Sequence, residues 1–245
     1  MANKIEYGSL EYFELAGKTF WGNAWGTKWK AWTKLRYKKY MELTKEIWKT
    51  GGKNILDIGC CDGDFLNALY NKARLNNYYG ADCSGAAISN IKNRNIKGYR
   101  CLVSGLPEIF TNRMDLIFCC GTIHYCEPFD VAFDNIIRCL NYNGIFLLEY
   151  PYFDNEHRMM KELKKRFIVK HIDYEYGKWY QDFFEKEWRE SQSLEHKDIL
   201  IWIRTLILLS SKLLAYLFEY ITIKFGGGKL GKSGKILICE VKHED

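Results

Sequence analysis

The 245-residue chain is predicted to fold as a doubly wound α/β protein. The expected sheet is seven-stranded and mostly parallel, with an antiparallel C-terminal hairpin and a helical cap. Three observations carry that prediction. Short apolar runs alternate with amphipathic stretches between residues 54 and 149, as in strands covered by helices on both faces. The segment Ile55-Leu56-Asp57-Ile58-Gly59-Cys60-Cys61-Asp62-Gly63-Asp64-Phe65 reads as a buried strand, a glycine-containing turn and a helix start. A second acid, Asp82, closes the next apolar run.

The first 26 residues are aromatic, punctuated by glycine, and expected to be irregular. Thr27 is a candidate cap for a helix over 28–49 that Gly51-Gly52 would end. Trp29, Trp32, Arg36, Tyr40, Leu43 and Ile47 share one face of it at helical spacing. Strands are predicted over 54–58, 78–82, 99–103, 114–120 and 144–149. Helices are predicted over 64–72, 85–93 and 129–140, the last turning Phe129, Phe133, Ile136, Ile137 and Leu140 inward. After Pro151, residues 152–197 are charged and aromatic and read as helical pieces, followed by a long apolar helix over 198–218. Two strands over 221–225 and 235–241 would close the hairpin around GGGKLGKSG. The simplest organisation is one domain over 1–245, with 1–50 as an aromatic, helical lid and 152–219 as an inserted cap.

Composition narrows the function. Apolar residues make up 47% and charged residues 27%, as in an ordinary soluble globular protein. The net charge of +6 fits an anionic substrate without demanding nucleic acid. The nine cysteines include two adjacent pairs and no C-x-x-C, which argues against a disulfide framework and against a metal site. They read as small buried hydrophobes in a reducing cytoplasm. MANKIEYGSLEYFEL lacks the apolar run of a secretion signal, so a cytoplasmic location is expected.

An acid-ended turn beside a second strand-end acid suits an adenosyl cofactor. Glycines at a strand-to-helix turn let a ligand approach the backbone, and helix N-terminal N–H groups receive a carboxylate. An acid at the tip of the second strand can take both ribose hydroxyls. Asp57, Gly59, Gly63 and Asp82 fit these tasks by position.

Over roughly residues 50–150 the chain resembles the class I S-adenosylmethionine-dependent methyltransferases, of the small-molecule, ubiquinone-methyltransferase-like kind. ILDIGCCDGDF is similar to that family's first motif and YYGADCS to its second, with Asp82 as the ribose acid. Leu106-Pro107, MDLIFCCGTIHYCEP and RCLNYNGIFLLEYP follow in the order of its central strands. The resemblance implies a Rossmann-like methyltransferase fold with S-adenosyl-L-methionine as cofactor. It assigns cofactor contacts to Asp57, Gly59, Cys60, Cys61, Gly63, Asp82, Cys83, Val103, Ser104, Cys120 and Gly121. Two departures stand out. Cys61 replaces the family's middle glycine, and the acid that meets the adenine amine is absent, with Leu102, Val103 and Ser104 in its area.

Methyl transfer from a sulfonium needs alignment, exclusion of water and removal of a proton from a hydroxyl or protonated amine. His124, after the fourth strand, is the general-base candidate, and Tyr125 a neighbour that could orient substrate; local packing is the alternative role for His124. His157 and His171 are weaker candidates. Trp21 and Trp25 are candidate substrate-binding lid residues, because aromatic faces surround cations and stack on sugars. Residues 226–233 match the P-loop pattern letter for letter, but too little chain follows for a nucleotide-hydrolysing domain, so they read as a hairpin loop. The apolar stretch 199–225 is interrupted by Arg204, Lys212, Glu219 and Lys224, which favours a buried cap or homodimer helix over a membrane span. Peripheral membrane contact is the alternative there.

The leading expectation is therefore a methyltransferase acting on oxygen or nitrogen of a small-molecule or glycan-type acceptor. A methyltransferase-fold module that binds a nucleoside ligand or a partner without turnover is the alternative. Nucleic acid is disfavoured as a partner, since the chain lacks a strongly basic tail or an Asn-Pro-Pro-Tyr-type motif after the fourth strand.

Overall fold

The computed structural model describes residues 10–16, 30–151, 153–176 and 232–242. The chain divides into two compact units, Met1–Ile172 with Ile236–Asp245, and Asp173–Lys235. All the site residues discussed below belong to the first unit.

Among the described residues, seven strands form one sheet. They are β1 (Asn54–Ile58), β2 (Asn77–Asp82), β3 (Ile96–Arg100), β4 (Met114–Cys120), β5 (Leu140–Pro151), β6 (Phe167–Tyr176) and β7 (Lys232–Val241). Their spatial order is β3-β2-β1-β4-β5-β7-β6. The pairs β3–β2, β2–β1, β1–β4 and β4–β5 are parallel, and the C-terminal strands are antiparallel. Strand order reverses between β1 and β4, so a crevice opens at their carboxyl ends, where sheets of this class bind ligands.

Seven helices accompany the sheet among the described residues: α1 (Leu10–Ala16), α2 (Lys30–Leu43), α3 (Lys45–Trp48), α4 (Asp64–Tyr70), α5 (Gly85–Ser89), α6 (Phe129–Cys139) and α7 (Glu156–Arg166). Alternation along each strand divides the core in two. Leu56, Ile58, Ile117, Cys119, Phe146 and Leu148 pack with Phe133, Ile136, Met159 and Leu163 of α6 and α7. Ile55, Leu116, Phe118 and Leu147 pack with Tyr40, Phe65, Leu66 and Leu69 of α2 and α4. Phe65 is the hinge of that second layer, with its ring 4.8 Å from Phe118 and 5.8 Å from Tyr40. Complete burial of a ring such as Phe118 contributes about 2–3 kcal/mol.

The strands over Asn54–Ile58 and Met114–Cys120 fall where the sequence predicts them. Four expectations are corrected. The N-terminal region is not wholly irregular, because α1 forms over Leu10–Ala16. The helix over 28–49 is broken at Thr44, whose N–H at 3.2 Å and Oγ1 at 2.8 Å share the Tyr40 carbonyl. Trp48 then turns into the core and donates its Nε1–H to the Met41 carbonyl at 2.8 Å. The third strand covers Ile96–Arg100 rather than 99–103, and Val103–Gly105 forms a 3-10 turn. The region after α7 is strand rather than helix over Phe167–Tyr176.

The strand expected over 235–241 is present within β7, but its sheet neighbours are β5 and β6. The strand expected over 221–225, the helix over 198–218 and most of the P-loop look-alike lie outside the described residues. Lys232 and Ser233, which end that look-alike, are part of β7, where a P-loop requires a helix. No helix among the described residues is long and apolar enough to cross a membrane.

Candidate active site

Parallel register aligns the strand tips. Ile58 pairs with Ala81 on one side and Cys119 on the other, and Cys120 pairs with Glu149. Asp82, Gly59, Cys120-Gly121 and Glu149 therefore form one row along the carboxyl edge.

The turn after β1 is shaped by left-handed backbone at Gly59 (φ 76°), Cys61 (φ 50°) and Gly63 (φ 76°). Glycine is required at Gly59, where a Cβ would collide with the Thr122 side chain. Cys61 holds a conformation that costs a side-chain-bearing residue about 1–2 kcal/mol. Its Sγ folds back to 3.7 Å from the Gly59 carbonyl. Asp82 secures the turn from the neighbouring strand. Its Oδ2 accepts the Cys61 N–H at 2.9 Å and its Oδ1 accepts the Ser84 N–H at 2.9 Å. The Cys60 N–H donates to the Ala81 carbonyl at 3.2 Å, while its thiol is buried against Gly80.

The two acids set the charge of the crevice. Asp57 is buried, and desolvation, followed by the nearby Asp82 charge, pushes its carboxyl well above the usual carboxylate range. Among the described residues no group donates a hydrogen bond to that carboxylate. Desolvation also raises Asp82, against the lowering effect of its two backbone donors. Two under-compensated carboxylates in one crevice favour a cationic ligand. Burial pushes the thiols of Cys60, Cys61 and Cys120 upward, and that of Cys83 to about 12, so the cysteines of this edge stay protonated.

On the outer side, the Cys101 N–H donates to the Asp82 carbonyl at 2.9 Å and leads into the Val103–Gly105 turn. Val103 is buried there, Ser104 is exposed, and Leu102 is 51% exposed.

On the inner side, β4 ends at Gly121 (φ 68°), whose N–H donates to the Glu149 carbonyl at 3.0 Å. A 3-10 turn over Ile123–Tyr125 follows. The rings of His124 and Tyr125 are 3.9 Å apart, and Phe153 lies 5.8 Å from His124. His124 Nδ1 is buried without a hydrogen-bond partner. Desolvation, opposed by the Glu149 charge, pushes its pKa down to about 4, so the imidazole is neutral at physiological pH.

Trp21 and Trp25 lie outside the described residues. Asp57, Gly59, Cys60, Cys61, Gly63, Asp82 and Cys83 lie at the ends of β1 and β2, Val103 and Ser104 in the turn after β3, and Cys120, Gly121, His124 and Tyr125 at and after the end of β4, whereas His157 lies on α7 and His171 on β6. Sequence reasoning missed two further features. Glu149 is fully buried and takes the Arg36 Nη2–H at 2.6 Å, while Arg36 Nε donates to the Tyr40 hydroxyl at 2.9 Å. Glu14 of α1 reaches the start of α5, accepting from Gly85 N–H at 2.9 Å and Ala86 N–H at 3.3 Å. Both link positions far apart in the chain, and neither motif nor periodicity signals them.

An open α/β sheet with an acid-lined crevice at its switch point defines a nucleotide- or nucleoside-cofactor protein. The family model described as "Methyltransferase domain" matches residues 32–195, and the chain belongs to that family. No curated protein matches the chain. Among solved structures, it is similar to a proposed sarcosine dimethylglycine methyltransferase of Galdieria sulphuraria. That likeness has 11% identity, 84% of each chain covered and a TM-score of 0.58. A proposed S-adenosyl-L-methionine-dependent methyltransferase of Methanococcus maripaludis is similar over 100% of this chain and 99% of its own, at 15% identity and a TM-score of 0.51. Phosphoethanolamine N-methyltransferase 2 of Haemonchus contortus, solved with S-adenosyl-L-methionine, is similar over 83% of this chain at 15% identity and a TM-score of 0.52. This chain spans only 53% of that protein's length.

Proposed function

We propose that the crevice between the tips of β2, β1 and β4 binds S-adenosyl-L-methionine and that the protein moves its methyl group to an oxygen or nitrogen of a small-molecule or glycan-type acceptor. The observation that carries this reading is the pair Asp57 and Asp82 beside the left-handed turn at Gly59–Gly63. Asp82, already aligned by two backbone donors, would take the ribose hydroxyls, and Asp57 the ammonium of the amino-acid end. Gly63, Cys83, Val103, Ser104, Cys120 and Gly121 would supply backbone and packing contacts around them. The family's membership supports the donor chemistry, and the neighbouring proteins named for amine substrates support a small-molecule acceptor.

The donor supplies an electrophilic methyl carbon on a cationic sulfur, which its acid-lined site favours. The chain's own residues would align the acceptor in line with that carbon and keep water out. His124, neutral above about pH 4, would accept the acceptor's proton or hold its hydrogen through a nitrogen. Tyr125 would form the adjacent wall. Acceptor choice would reside in residues 1–30 and 152–220, with Trp21 and Trp25 as candidate substrate-binding residues. Cytoplasmic location and burial of the apolar stretch 199–225 in a cap or homodimer contact belong to the same reading, with peripheral membrane contact through that stretch as the alternative. Substituting His124→Ala tests the chemistry: donor binding should stay near wild type while turnover on an accepted substrate falls at least about tenfold. Unchanged turnover would remove the imidazole from the reaction.

A further inference from the structure

We propose that α1 is a strap across the donor crevice, with Glu14 as the positioning residue that locks it, so that the donor and its demethylated product exchange only when α1 lifts. This rests on the placement of the donor given above. Phe13 and Glu14 are consecutive residues of one helical turn, yet they reach opposite walls of the crevice. Glu14 Oε1 accepts the Gly85 N–H at 2.9 Å, and Glu14 Oε2 accepts the Ala86 N–H at 3.3 Å and the Ser84 hydroxyl at 3.4 Å. Arg100 Nη2 completes the set at 2.8 Å from Glu14 Oε1. All four partners flank Asp82, on the wall assigned to the ribose. Phe13 instead packs edge-on against Tyr125, with 5.1 Å between ring centroids, on the wall after β4.

β1 lies between β2 and β4, so the two contacts of α1 stand on either side of the tip of β1. The dimensions agree. Two interstrand spacings amount to about 10 Å, and a helix with its side chains is about 10–12 Å wide. The partners of Glu14 also bear on Asp82 directly. Asp82 Oδ1 is bonded to the Ser84 N–H, adjacent to the amides that Glu14 holds, so Glu14 fixes the turn that aims Asp82. Its carboxyl lies below the usual range, chiefly through the Gly85 backbone donor, so the lock is ionised at neutral pH. One element thus joins the donor's sugar wall to the acceptor's aromatic wall, and docking of α1 would complete both at once.

Hydrogen exchange and product release, measured on the full chain, test this. In the absence of donor, Glu14→Ala should speed exchange of the Gly85 and Ala86 amides and of the α1 amides about tenfold or more. Glu14→Gln, which keeps an acceptor but not the charge, should fall between. With S-adenosylhomocysteine bound, release followed by competition should be at least about fivefold faster in Glu14→Ala and in Phe13→Ala. Asp82→Asn serves as the control for the donor site: it should weaken binding of S-adenosylhomocysteine. If Asp82→Asn weakens binding but release is unchanged in both α1 variants, the strap is refuted while the donor site stands. If α1 exchange in Glu14→Ala matches wild type, the lock is refuted whatever binds in the crevice.

Discussion

Asp57→Asn should make the protein more stable and a worse donor binder, and the two effects should separate with pH. Asp57 is 5% exposed and receives no hydrogen bond from the described residues, while Asp82 adds a second negative charge nearby. Its folded-state carboxyl is therefore raised above its unfolded value. For such a group the folded chain binds the proton more tightly, so its contribution to stability is present at low pH and is lost as pH rises through the folded pKa. Asparagine removes that penalty. Relief of a buried, unpaired carboxylate is on the order of 1–3 kcal/mol. At roughly 2–4 °C per kcal/mol for a chain of this size, melting should rise by about 2–12 °C near pH 8. Near pH 4, where the native carboxyl is already neutral, the gain should shrink towards zero. The same change deletes a charged partner for the donor's ammonium, worth about 1.5–3 kcal/mol, or roughly a tenfold to hundredfold loss in affinity. Differential scanning fluorimetry at both pH values, paired with calorimetric titration of S-adenosyl-L-methionine, measures each half. A variant that melts lower than wild type at pH 8, or binds the donor equally well, would refute the reasoning.

Three other outcomes follow from the same geometry. Cys61→Gly should stabilise by about 0.5–1 kcal/mol in urea unfolding, since relief of left-handed strain outweighs glycine's extra unfolded-state entropy, and should not weaken donor binding. Arg36→Met alone should cost about 1–3 kcal/mol, because it removes the 2.6 Å ion pair of a fully buried Glu149, whereas Arg36→Met with Glu149→Gln should recover part of that loss in the same urea titration. His124→Gln should flatten the acid side of the stability profile. Between pH 6.5 and about 4 the unfolded chain binds the imidazole proton and the native protein does not, so wild-type stability falls by up to about 3 kcal/mol as pH drops through that window.

The parallel core was legible because its signals are local. Asn54–Ile58 and Met114–Cys120 are mostly apolar and mostly buried, interrupted inside the run only by Asp57 and Asp115, and each is bounded by polar or glycine residues. β3 was misplaced by three residues because it is an edge strand with Lys97, Gly98 and Arg100 exposed. The more apolar Cys101-Leu102-Val103 drew the reading instead, although it only leads into a turn. β6 was hidden for a similar reason. It ends the order of the sheet, and Lys170 interrupts its apolar residues while pairing with Glu240 of β7 at 3.2 Å. The site divides the same way. Asp57, Gly59 and Asp82 sit in strand-turn-helix signatures, whereas Glu149 acquires its partner across 113 positions and Glu14 across about 70. Contacts of that span are settled by packing, which one sequence does not display.

A structure of the protein with S-adenosylhomocysteine bound tests the account most directly. The ribose hydroxyls should lie within hydrogen-bonding distance of Asp82, the ammonium should face Asp57, and the sulfur should point towards the space beside His124. Density for the ligand elsewhere, or an empty edge between Gly59 and Asp82 at saturating ligand, would contradict it.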